Sequence, residues 1–92
     1  MKAEGPMSAP MIHSNGTGRE ALIYQQCDVA NALRDVLKAL AAAAPNERDY
    51  YPYREHPAQW REAVSAHTRR VAAVSALLEE TQAAALAISR AR

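Results

Sequence analysis

Ninety-two residues with a formal charge of +1 and a single cysteine exclude a multidomain chain, an internal disulfide and a strongly basic binder of long nucleic acid. Half of the residues are hydrophobic (49%), yet phenylalanine is absent and alanine dominates, so the composition favours helices that pack closely. No run approaches the roughly 20 apolar residues of a membrane span, and MKAEGPMSAP lacks the apolar core of a secretory signal, so a cytoplasmic protein with no membrane partner is expected.

Residues 1–15 read as a flexible arm, because Gly5, Pro6, Ser8 and Pro10 break any periodic pattern. The helical part is expected over 16–92. Thr17-Gly18-Arg19-Glu20 has the spacing of a capping box, a hydroxyl residue followed three positions later by a glutamate. It predicts a first helix over about 18–44, which Pro45 and Asn46 end. One face of that helix carries Ile23, Gln26, Ala30, Leu33, Leu37, Leu40 and Ala44, alternating three and four apart as a buried seam does. Leu22, Val29 and Val36 add a flanking row, and Arg34, Asp35 and Lys38 take the opposite side.

A connector spans 45–56, and a second helix is expected over about 57–89, with Pro57 suited to its first turn. Its seam is Trp60, Val64, His67, Val71, Val74, Leu78, Thr81, Ala85 and Ile88, a coiled-coil-like spacing. A second apolar face carries Ala63, Ala66, Ala73, Leu77, Ala84 and Ala87. Two apolar faces imply two neighbours. The fold class is therefore all-α: an antiparallel hairpin of two long helices, about 40–50 Å in length, assembling into an oligomeric helical bundle, a dimer or a higher closed form.

Little in the chain suggests catalysis. His13, His56 and His67 are not spaced as helix metal ligands, and Cys27 has no base nearby in sequence, so no enzyme, metal site or cofactor is expected. His67 reads as a packed seam residue and Cys27 as a small half-buried one. Binding is better supported. Asn15-Gly16-Thr17-Gly18-Arg19 runs a glycine-containing turn into a helix N-terminus, where free amides favour an anion and Arg19 adds charge, although a plain helix cap has the same composition.

The connector, PNERDYYPYREHP, concentrates the remaining chemistry. Tyr50, Tyr51 and Tyr53 can stack on bases, and Arg48 and Arg54 can fork onto phosphate oxygens. The alternative is structural: tyrosine rings closing the hairpin end against Leu40 and Trp60, with Asp49 and Glu55 pairing to Arg48 and Arg54 at the surface. The cap and the connector lie at opposite ends of the first helix, about 40 Å apart. An antiparallel dimer would bring one subunit's cap beside the other's connector, so that a ligand would lock the assembly.

Ile12-His13, Asn15-Gly16-Thr17, Arg19-Glu20, Pro45-Asn46 and Arg48-Asp49-Tyr50-Tyr51 together resemble a pattern in small helical proteins encoded by bacteriophages. The resemblance covers roughly 12–90 and brings no activity with it. Ala66-His67 followed by Arg70 departs from that pattern, which places an acid with the histidine. The resemblance implies the cytoplasm of an infected bacterium and, among functions, an oligomeric sponge that sequesters a small phosphorylated, nucleotide-derived immune signal without chemistry. A virion or scaffold component, or an inhibitor gripping a host protein, is the rival it leaves open.

Overall fold

A computed structural model of the chain describes residues 18–54 and 56–91. Two α-helices, α1 (Arg19–Ala42) and α2 (His56–Arg90), are joined by a connector containing one short 3-10 turn, Glu47–Tyr50. No strand occurs among the described residues, so the all-α class holds. The expected arm and the caps Asn15 and Thr17 lie outside the described residues.

The helix ends follow from local chemistry, with one correction. Gly18, extended at φ −65° and ψ 155°, is the N-cap of α1, and its carbonyl accepts the first helical bond from Leu22 N at 3.0 Å. Glycine is tolerated at this position but offers no side-chain acceptor. This start lies one residue later than a cap at Thr17 requires, which moves Glu20 out of capping-box register. Its carboxylate instead accepts from Tyr24 Oη at 3.0 Å, one turn along. At the other end α1 stops at Ala42, two residues short of the expected boundary. Ala43 N donates to the carbonyls of both Ala39 and Leu40, and Ala44 N to Ala41, so the last turn tightens before Pro45 forces the chain out of helix. Asn46 then caps the 3-10 turn, its Oδ1 accepting from Arg48 N at 3.0 Å.

The start of α1 lies by the end of α2. The Arg19 guanidinium donates to the carbonyl of Ala91, where cationic charge opposes the negative end of the α2 dipole. Midway, Ala30 and Thr81 line one groove, and beyond the end of α1, Ala43 and Ala44 sit with Ala63, Ala66 and His67 in another. The first turns of α2 thus extend past α1, where Tyr50 covers them: its ring centroid is 5.9 Å from that of Trp60.

Only Ala30, Thr81 and Ile88 are buried among the described residues. Most of the expected seam is half-buried: Ile23, Gln26, Leu33, Leu37 and Leu40 on α1, and Trp60, His67, Val71, Val74, Leu78 and Ala85 on α2. Val64 is more open than the seam requires, and Ala44 is exposed beyond the helix. The flanking row splits, with Leu22 half-buried and Val29 and Val36 exposed; Leu77 and Leu86 of α2 are also about half exposed, at 47% and 49%. The shape explains the thin interior. The molecule measures 64 × 24 × 16 Å with a radius of gyration of 19.2 Å, against roughly 12 Å for a compact chain of this length.

By length and composition α2 also qualifies as a candidate membrane span, contrary to the expectation above; 17% of the qualifying window is buried. Alanine, valine and leucine give its second half that apolar average, but Glu79 and Glu80 stand in the middle of it. A charged residue at a bilayer centre costs on the order of 3 kcal/mol.

Candidate functional site

The connector folds back over α2 because three local features agree. Asn46 starts the 3-10 turn, Tyr53 N donates to Tyr50 O at 3.1 Å, and His56 N donates to Tyr53 O at 3.2 Å, so consecutive turns carry the chain directly into α2. An aromatic cluster stiffens the path. Tyr50 lies 6.2 Å from Tyr53 and 5.9 Å from Trp60, both tilted, and Tyr51 meets the His56 ring edge-on at 5.1 Å. Of the expected aromatic contacts, the one to Trp60 is made, by Tyr50.

Of the expected surface ion pairs, the one between Arg48 and Asp49 is not made among the described residues. Among the described residues the one contact within ion-pair distance is Glu47 with His56, with Oε2 and Nε2 3.0 Å apart, an ion pair only while the imidazole is protonated; neither Arg48 nor Arg54 is paired within this set. The 3-10 turn explains the change, since it aims Glu47 at the first residue of α2. Glu55 lies outside the described residues.

Beneath Tyr50 is a groove of about 290 Å³ lined by Ala43, Ala44, Pro45, Asp49, Tyr50, Ala63, Ala66, His67 and Arg70. The alanines leave its floor empty; the polar groups come from two directions, Asp49 and Tyr50 from the connector and His67 and Arg70 from one turn of α2. Its volume is close to the lower end for small-molecule sites. Arg70 and His67 offer donors suited to an anion, Asp49 offers acceptors, and Tyr50 offers an aromatic wall.

The candidate ligand-binding residues therefore separate. Tyr50 lines the groove. Arg48, Tyr51, Tyr53 and Arg54 are exposed around the same connector, with Tyr51 and Tyr53 more than half open. Arg19 is at the far end of α1, about 36 Å away by helix rise, and is engaged by Ala91. His67, expected as a packed seam residue, lines the groove, and so does Arg70, which is not among the expected ligand-binding residues. Their spacing of three on a helix carries a signal for a shared face, but only the folded connector shows what that face meets.

A second groove, about 300 Å³, runs between the middle of α1 and the last third of α2, lined by Gln26, Cys27, Ala30, Asn31, Arg34, Thr81, Gln82 and Ala85. Its polar groups largely satisfy local partners: Arg34 Nη1 donates to Asn31 Oδ1 at 2.9 Å, and Thr81 Oγ1 to the Leu77 carbonyl at 2.8 Å. Cys27 is exposed rather than half-buried, because it stands at the edge of the seam. No group of three or more potential metal ligands occurs among the described residues.

Compared with family models, curated proteins and solved structures, the chain matches none of them, and the functional interpretation rests on its own residues.

Proposed function

We propose that this chain is a non-enzymatic, self-associating helical protein that binds and sequesters a small phosphorylated, nucleotide-derived ligand at the connector end. The observation that carries it is the groove in which Tyr50, His67 and Arg70 meet, with Arg48, Tyr51, Tyr53 and Arg54 exposed around it. Arg70 and His67 hold phosphate and the tyrosines stack on the base. The two helices form an antiparallel hairpin, and pairing of hairpins places the other subunit's Asn15-Thr17 segment, with its Arg19, beside this groove. The resemblance to bacteriophage proteins makes a bacterial immune signal the natural ligand, met in the cytoplasm of the infected host.

Thermal melting against cyclic dinucleotides, cyclic oligonucleotides and ADP-ribose derivatives tests the proposal. At least one should raise the melting temperature, and Arg70→Ala and Arg48→Ala should each suppress that rise while leaving the free protein's melt nearly unchanged. Both arginines are exposed, so neither substitution removes packing. Ligand released on denaturation should be chemically intact. A panel in which nothing shifts the melt removes the proposal.

A second role, a structural or protein–protein interaction bundle such as a virion component, a scaffold or an inhibitor of a host protein, is favoured by a different observation. Leu77, Leu86, Val29 and Val36 are all more than 40% exposed on a chain with three buried residues among those described. In that role the apolar faces are the working surface and Tyr50 is only a lid on Trp60. Pull-down from a host lysate should then recover one dominant protein, with no nucleotide effect on stability.

A further inference from the structure

We propose that the connector-end groove prefers guanine to adenine nucleotides, with Asp49 reading the base and Arg70 holding phosphate, a selectivity that rests on the ligand-binding role proposed above. Two opposite charges line one groove here without joining. Among the described residues only Glu47 and His56 come within ion-pair distance, and no side-chain hydrogen bond from another described residue reaches the Asp49 carboxylate. A groove that served only an anion would gain nothing from Asp49, since its charge repels phosphate. A ligand with a donor edge at one end and an anion at the other satisfies both groups at once.

Guanine has that donor edge. Its N1–H and exocyclic N2–H₂ stand side by side, and an ionised carboxylate accepts two parallel bonds with its two oxygens. Adenine's pairing edge places the N1 lone pair next to its N6–H₂ donor, so one carboxylate oxygen would face a lone pair. Tyr50 supplies the wall on which the base lies, itself braced by Trp60 at 5.9 Å. His67 and Arg70, three residues apart on α2, supply donors to phosphate oxygens. The alanine floor at Ala63 and Ala66 leaves space for the ring, and about 290 Å³ suits one base with its nearest phosphate better than a longer ligand.

Calorimetric titration of the full chain with GDP and with ADP tests this. GDP should bind about tenfold or more tightly than ADP, the discrimination expected of a good two-point base contact. Asp49→Asn should erase that preference, because its NH₂ replaces one acceptor, while Arg70→Ala should weaken both nucleotides alike. Asp49 is exposed, and circular dichroism of Asp49→Asn should show unchanged helix content. Equal affinity for GDP and ADP, or a guanine preference that survives Asp49→Asn, overturns the selectivity and leaves the groove as a nucleotide site. Binding of neither nucleotide also overturns the selectivity, while the melting panel above decides separately whether the groove holds a nucleotide-derived ligand at all.

Discussion

The Glu47 carboxylate lies 3.0 Å from His56 Nε2, joining the first residue of the connector's 3-10 turn to the first residue of α2. The pair closes the connector on itself, with Tyr51 stacked edge-on against the same histidine ring. Both partners keep contact with solvent, at 26% and 45% side-chain exposure, and half-open pairs contribute little. Glu47→Ala should therefore cost less than about 1 kcal/mol in urea unfolding. Trp60→Ala should cost about 2 kcal/mol or more, because it removes the surface on which Tyr50 rests. The reverse ranking would mean that charge, not aromatic packing, holds the connector down.

Gly18 as N-cap makes a stabilising substitution available. A Cβ built there meets nothing within 4 Å, and the backbone is extended with a negative φ that any residue adopts. Gly18→Ser should add a side-chain acceptor for the first turn and raise stability by about 0.5 kcal/mol, or roughly 2–4 °C in melting temperature. If Thr17 caps the helix instead, serine would fall inside the first turn and the gain would vanish.

The buried interior is built largely from small side chains. Ala30 is 5% exposed and borders the second groove, so the extra carbons of Ala30→Leu must shift the neighbouring packing on α2, and the variant should destabilise by about 1–3 kcal/mol. Ile88, 3% exposed, is the largest side chain among the three buried residues, and Ile88→Ala should cost about 2–4 kcal/mol. Chemical denaturation at fixed protein concentration measures both, and an Ala30→Leu variant as stable as the parent would contradict the close packing.

Self-association predicts a melt that depends on protein concentration. The paired substitution Leu77→Gln with Leu86→Gln should weaken the oligomer at least tenfold by sedimentation, since both side chains are about half exposed in the single chain. Isolated parent chains that sediment as well-folded monomers at micromolar concentration would rule out the bundle.

Periodicity made the two helices and most of the seam legible, because a three-four repeat reflects how a helix turns, whatever packs on it. Ile23, Leu33, Leu37, Val71, Val74 and Leu78 all fall on the inner side as that repeat requires. The cap was less legible. Thr17 and Gly18 are both acceptable N-caps by residue type, and only the extended backbone of Gly18 assigns the position to it. The site was half legible. Tyrosine and arginine density marked the connector, but the groove depends on where the chain reversal lays Tyr50 along α2, and Arg70 gains meaning only from that placement. Local pattern carries no information about which turn of a long helix a returning loop will cover.

Alanine lining has one last effect. Where alanines line the two grooves, methyl groups present shallower ridges than the leucines and valines of the seam, and shallow ridges resist axial sliding less. Lengthwise alignment is then reinforced at the extremities, where Arg19 grips Ala91 and Tyr50 abuts Trp60. They behave as stops at either end of a slide rail. Loosening both would leave each rod helical while letting one creep past its neighbour by a turn.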